Sequence, residues 1–221
     1  MPIAPDRILY EDQHLLVVHK RPGELTVAAG GEGKMPLFDF LHKDHPGLRV
    51  VHRLDFGTSG VLVFAKTAAA VAAIRSSKFA GWKKEYVTLV HGVPSPSSGV
   101  ITKPLPARTH EDLVPARTEY RVTHAFPHCA LVSLTIDTGR KHQIRRHLAG
   151  IGHPLVLDPL YGDARQDRKF KKRFSYRRLF LHAASLTFPH PITGEKLHVA
   201  APLPPTFREV MGKLRGGRAV P

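Results

Sequence analysis

Hydrophobic and polar positions change period several times along the chain. The block "HLLVVHKRPG" (14–23) is apolar at its centre and stopped by Pro22-Gly23, which predicts a strand. "GVLVFAKT" (60–67) predicts a second. The next stretch, "AAAVAAIRSSKFAG" (68–81), is alanine-rich and predicts a helix closed by Gly81. "KKEYVTLVHG" (83–92) returns to strand. Pro94, Pro96, Pro104, Pro106 and Pro115 make 94–117 mostly loop and irregular edge. "RTEYRVTHAF" and "CALVSLTIDTG" predict an antiparallel pair joined near Pro127. In "RKHQIRRHLAGIG" (140–152), Ile144, Leu148 and Ile151 recur at i, i+4, i+7 and mark the buried face of a short helix that Gly150 and Gly152 can end. "RLFLHAASLTF" (178–188) precedes "HPITGEKLHVAAP" (190–202), whose Thr-Gly turn joins two strands, and "PPTFREVMGKLR" (204–215) predicts a last helix with Pro in its first turn.

Strands dominate and helices fall between them without a regular βαβ beat. That favours an α+β fold with a mainly antiparallel sheet over a doubly wound one. No internal repeat and no linker-like stretch marks a boundary, so a single domain over 1–221 with a cleft is expected.

Composition narrows the function. The chain has 221 residues, 42% of them hydrophobic, which is enough for a packed core. Its net charge is +15 with histidines neutral. Such an excess costs self-repulsion that a polyanion would relieve, so nucleic acid is the first candidate partner. A membrane is not expected: there is no basic amphipathic helix and no long apolar run. The single cysteine, Cys129, excludes an intrachain disulfide and cysteine-based zinc sites. It sits in an apolar run and reads as an inert buried thiol. Charges in "MPIAPDRILYEDQ" stand where a signal peptide needs an apolar core, so a soluble, cytoplasmic protein is expected.

Four segments could carry chemistry. "RQDRKFKKRFSYRR" (165–178) holds eight Lys or Arg with Phe170, Phe174 and Tyr176 interleaved. Its cations, among them Lys169, Lys171, Lys172 and Arg173, can neutralise phosphates; its aromatics can stack on bases or pin the segment to the core. The bland alternative is a solvated loop. "GRKHQIRRH" places Arg140, His142 and Arg145 about a helix whose other side is apolar. Arg145 follows the buried Ile144, so it sits at the boundary and needs a carboxylate; Asp55, Asp137 and Asp158 are candidates. In "HRLDFGTSG" (52–60) a lone acid, Asp55, stands between Arg53 and a turn of small residues. It could be a salt-bridge partner, a turn former or a nucleophile. Tyr86 sits in mid-strand and could be sheet packing or a ring that holds a base.

Other chemistries are missing. The histidines, including "HKDH" at 42–45, show no HExxH spacing and no acidic cluster, so no metal is expected. "GGEGK" (30–34) lacks the Ser or Thr of a phosphate-binding loop and reads as a flexible loop.

Taken together, "HRLDFGTSGVLVFAKT", "KKEYVTLVHG", "ARTEYRV", "TGRKHQIRRHLAGIGHPLVLDPLYG" and "LFLHAASLTFPHPITGE" resemble, in order and spacing, the RluA-type pseudouridine synthases. The resemblance runs from about residue 8 to 202, with a C-terminal helix beyond it at about 204–215, and looks like the short form of the family without an S4-like RNA-binding domain. It implies the pseudouridine synthase fold: a bent, mixed, mostly antiparallel sheet with flanking helices and a central RNA-binding cleft. It implies isomerisation of a uridine in structured RNA, tRNA or 23S rRNA, without cofactor or metal, by a protein whose default state is a monomer. Asp55 matches the family's catalytic aspartate, Tyr86 the tyrosine that packs on the target base, and Arg145 the arginine that pairs with the carboxylate. Arg53 matches the arginine that can fill the gap left by the flipped nucleotide. Two positions depart from the pattern: Leu157 stands where Gly is common, and Thr88 where Ala is usual. The competing readings are a non-catalytic RNA-binding factor, which predicts loss of the Asp, Tyr or Arg, and a nucleic-acid hydrolase, which lacks metal ligands.

Overall fold

The apolar blocks of the sequence become strands, and the prolines and glycines between them become turns. In the computed structural model, residues 3–28, 35–107 and 112–216 are described; the Gly-rich segment at 30–34 lies outside them. A 3₁₀ turn (Pro5–Arg7) leads into β1 (Ile8–Glu11) and β2 (Leu15–Lys20), followed by α1 (Leu37–His42), β3 (Arg49–Val50), β4 (Ser59–Ala65) and α2 (Ala68–Ser76). Then come β5 (Lys83–His91), β6 (Ser98–Ile101), β7 (Leu105–Pro106), β8 (Leu113–Val114), β9 (Thr118–Phe126) and β10 (Cys129–Ile136). The chain ends through α3 (Gln143–Gly150), α4 (Ala164–Phe174), β11 (Leu181–Pro189), β12 (Lys196–Ala200) and α5 (Pro205–Leu214). This is an α+β protein with antiparallel strand pairing, as the patterning predicts. It divides into two compact units, one formed by residues 1–84 and 183–202, the other by 85–182 and 203–221.

In the first unit β1, β2, β4 and β11 are neighbours in that order, with β12 on β11 and β3 on β4. Every residue of β4 is buried, and β2 nearly so, because both faces are covered. Leu15, Val17, Val61, Val63, Trp82 and Phe188 fill one side together with Ile74 of α2. The Thr67 hydroxyl caps α2 by accepting the N–H of Ala70. The helix stops at Ser76 and not at Gly81: Lys78 and Phe79 take positive φ (49° and 63°), which swings the Phe79 ring edge-on to Trp82, 5.1 Å between centroids.

In the second unit the order is β5-β10-β9-β6, with β7 and β8 as a separate pair. β9 and β10 run antiparallel from Cys129↔Phe126 to Ile136↔Thr118, joined at Pro127 as expected. Ile144 and Leu148 of α3 pack with Val90, Ala130, Val132 and Leu134; Phe170 and Phe174 of α4 and Phe207 of α5 pack with Leu89, Phe126 and Leu131. Ile151 departs from its expected place: α3 ends at Gly150, so Ile151 leaves the helical period and is 38% exposed. The basic stretch is not a loop but helix α4. Asp163 caps it through the N–H groups of Arg165 and Gln166, and Ser175 ends it in the left-handed region at φ 53°. Its aromatics turn inward to the core and its cations stay in solvent.

Candidate active site

The segment 52–60 is irregular up to the start of β4, and several of its groups are tied to their surroundings. Nε2 of His52 accepts the N–H of Val63 at 3.0 Å. That bond needs a neutral ring, and burial, helped by the charge of Lys84, pushes the His52 pKa down to about 3. The Thr26 hydroxyl donates to the Leu54 carbonyl (3.0 Å) and accepts its N–H (3.3 Å). Gly23 donates to the Phe56 carbonyl at 2.8 Å, and the Thr58 N–H closes a turn onto the Asp55 carbonyl at 3.0 Å. Beneath the loop lies Lys20, fully buried. Its Nζ donates to the carbonyls of Thr58 (2.6 Å) and Asp55 (3.1 Å). Burial pushes its pKa down to about 8, with Glu24 and Asp55 opposing the shift and Arg7 adding to it. Gly60, at φ +117°, closes the loop; a Cβ there would lie 2.1 Å from the Ala183 carbonyl oxygen. The result is a rigid cradle from which Asp55 projects half-buried, with Arg53 exposed two residues before it.

In the second unit, α3 supplies the other candidates. His142 adopts φ 55° at its N-terminus, and Gln143 turns its amide back on the preceding loop. The Gln143 oxygen accepts from the Thr138 hydroxyl (2.7 Å) and the Arg140 N–H (3.1 Å), and its nitrogen donates to the Arg117 carbonyl (2.8 Å). Arg145 is buried and donates twice to Asp158, Nε to Oδ2 and Nη2 to Oδ1, both at 2.6 Å. Of the three carboxylates open to Arg145 in the sequence, Asp158 is thus in bidentate contact with it. Burial disfavours the charge on Asp158, but Arg145 and the N–H groups of Leu160 and Tyr161 hold its carboxyl below the usual range. Tyr161 completes the group. Its hydroxyl accepts from Nε of Arg146 at 2.9 Å and lies 3.1 Å from Nδ1 of His142, while its ring lies under the guanidinium of Arg145 at 5.2 Å. Leu157 takes φ 62°, the left-handed region that glycine would enter freely. Its backbone N–H is anchored on Asp167 at 2.8 Å, and Asp167 also pairs with His91 at 2.7 Å.

Other predicted positions divide between surface and interior. Tyr86 is partly buried on β5 and packs beside the cluster that holds Ile144 and Leu148. Thr88, the other departure, donates to the Phe180 carbonyl at 2.5 Å from a buried site. Arg140 is exposed and donates to the Pro115 carbonyl at 3.2 Å. Lys169, Lys171, Lys172 and Arg173 are exposed on α4. Lys20 and Tyr161 were not singled out by sequence reasoning. Lys20 looks like the polar end of an edge strand, and only its full burial reveals it. The signal for Tyr161 was its place in "DPLYG", three residues past an acid that an arginine needed. Among the described residues no group of His, Cys, Asp and Glu is arranged to hold a metal ion, and no helix is long and apolar enough to cross a membrane.

Comparison with known proteins gives this geometry its context. Residues 14–150 match the family described as RNA pseudouridylate synthase. The chain is 36% identical over 229 residues to Ribosomal large subunit pseudouridine synthase C of Escherichia coli (strain K12), covering 96% of this chain and 71% of that protein. It is 35% identical over 227 residues to the protein of the same description from Buchnera aphidicola subsp. Schizaphis graminum, with 95% and 71% covered. The solved structure of Human RNA Pseudouridylate Synthase Domain Containing 4 superposes with a TM-score of 0.79 at 27% identity, over 94% of this chain and 92% of that one. Human RNA Pseudouridylate Synthase Domain Containing 1 gives 0.74 at 27%, over 95% and 90%. With an α+β fold, a family match over residues 14–150 and relatives aligned over nearly its whole length, the chain belongs to the RNA pseudouridylate synthase family.

Proposed function

We propose that this chain converts a specific uridine of structured RNA to pseudouridine, with large-subunit ribosomal RNA as the first substrate class and tRNA as the second. The observation that carries the reading is the cradle around Asp55: Lys20, Thr26, Gly23 and Gly60 fix a half-buried acid at the tip of the family's "HRLDxxTSG" motif. A catalytic group must be held by its surroundings to within a fraction of an ångström, and these contacts support the backbone that carries Asp55.

The reaction breaks the N1–C1′ bond, rotates the uracil and joins C5 to C1′. Extruding a stacked base costs about a few kcal/mol, which Arg53 offsets by filling the gap. The Asp55 carboxylate acts at C1′, by addition, or at C2′, by proton removal; both routes need it ionised. Tyr86 packs on the flipped base. In the family resemblance Arg145, here oriented by Asp158 and Tyr161, has the role of favouring the charged form of the catalytic carboxylate. Phosphates are met by Arg140, His142 and the cations of α4. In this reading the two units serve as one catalytic domain over 1–221, active as a monomer in the cytoplasm.

The test is pseudouridine mapping by carbodiimide-blocked reverse transcription in bulk rRNA and tRNA, with the wild type and Asp55→Asn. A new stop made by the wild type and not by the variant, at equal RNA affinity, supports the reading. RNA binding without any new stop would make the chain a non-catalytic RNA-binding factor; parallel loss of affinity and activity would make Asp55 structural.

A further inference from the structure

A cavity of about 250 Å³ opens in the second unit beside α4. It belongs neither to the loop around Asp55 nor to the group around Arg145. Its floor is aromatic and apolar: Phe126, Phe170 and Phe174, with the Cys129 thiol among them. Its rim carries Lys169 and Arg173, and among the described residues no carboxylate lines it. Asp167, on the same helix, is committed to His91 and to the Leu157 N–H. Arg173 is held with its guanidinium 5.2 Å over the Phe174 ring, so the flat surface continues from the floor to the cationic edge. Burial raises the Cys129 pKa to about 11 against the opposing charge of Arg173, consistent with that guanidinium lying over the floor. The amide of Gln166 and the imidazole of His128 add hydrogen-bonding groups at the wall.

We propose that this cavity is a second nucleotide subsite: it takes one unpaired nucleobase of the bound RNA, with the adjoining phosphate on Lys169 and Arg173. This rests on the reading that the chain acts on RNA. The chemistry selects the ligand. A flat heterocycle uses the aromatic floor, its polar edge uses Gln166 and His128, and an anion is required at the rim. The volume, below the roughly 300 Å³ of ordinary ligand clefts, suits one ring system and not a dinucleotide. The subsite would let the protein grip a nucleotide other than the target uridine. Phosphate contacts alone carry no such preference for unpaired RNA.

The test is a fluorescence titration of 2-aminopurine riboside 5′-monophosphate, which is quenched on stacking, with the full chain. Quenching should saturate, be displaced by adenosine 5′-monophosphate, and persist at the same concentration of inorganic phosphate. Arg173→Ala and Cys129→Met, the latter extending into the cavity from its floor, should each weaken binding by about tenfold or more, as for one lost stacking or charged contact. Asp55→Asn should bind as the wild type does. If Cys129→Met fails to fold, Gln166→Tyr, which narrows the mouth from an exposed position, replaces it. No quenching, displacement by phosphate as effective as by the nucleotide, or full binding by the folded cavity variant would each overturn the proposal. Pseudouridine formation is read separately. An active enzyme that fails to bind the probe sinks this inference alone; an inactive one that binds it sinks only the earlier reading.

Discussion

Replacing Lys20 by Met tests how the loop around Asp55 is held. Lys20 is fully buried, and its charge stays in the interior because two carbonyls, Thr58 at 2.6 Å and Asp55 at 3.1 Å, accept from it. Its pKa of about 8, against 10.5 in the open chain, means that below pH 8 the buried charge costs about 3 kcal/mol. Lys20→Met removes that cost but takes the donor from the Thr58 carbonyl, at about 1–3 kcal/mol, while the Asp55 carbonyl keeps the N–H of Thr58. At pH 7 the two effects largely offset, and the variant should lie within about 2 kcal/mol of the wild type. The pH dependence is sharper. As pH rises from 8 towards 10.5, the unfolded chain holds the proton that the folded one has lost, so wild-type stability climbs. The neutral amine still donates to both carbonyls, whereas methionine gains nothing. The gap between wild type and variant should shift towards the wild type by about 3 kcal/mol between pH 7 and pH 11, measured by urea denaturation at both. A gap that stays constant would refute the buried, charge-strained lysine.

Asp158→Asn should cost about 3–5 kcal/mol in denaturant unfolding, since it removes the carboxylate to which the buried Arg145 guanidinium donates twice. Gly60→Ala should cost about 3 kcal/mol or more, because its Cβ would meet the Ala183 carbonyl at 2.1 Å and only backbone movement relieves it. Leu157→Gly should still destabilise, by about 1–3 kcal/mol in thermal melts: glycine releases about 1 kcal/mol of left-handed strain but empties a buried leucine site. Asp12 has a pKa of about 2: burial opposes the shift, but bonds from Tyr10 and the N–H groups of His14 and Leu15 outweigh it. Its contribution is present above pH 4 and lost as pH falls to 2, so Asp12→Asn should flatten the acid limb of stability by about 1–2 kcal/mol, followed by circular dichroism.

Much of this protein was legible one residue after another. Strands β2, β4, β5, β9 and β10 and helix α5 lie where apolar runs and Pro or Gly stops put them, because burial and chain-breaking chemistry are local signals. The end of α2 was not legible. It is decided by the meeting of Phe79 and Trp82, a contact that alanine-rich periodicity cannot register. The same holds for α4: its six cations read as solvent-loving, and only packing shows that Phe170 and Phe174, four residues apart, anchor one face of a helix.

The site divides along the same line. Residue order alone marks Asp55 as a lone acid in a constrained turn, puts Arg145 at the border of a buried face in need of a carboxylate, and points to the family that carries both. It takes the folded chain to show that Asp158 clamps Arg145, that Tyr161 supports its guanidinium and that a buried Lys20 ties the Asp55 loop to β2. Each of these joins residues separated along the chain. Their energies come from desolvation and hydrogen-bond geometry, which exist only once the chain has closed around them.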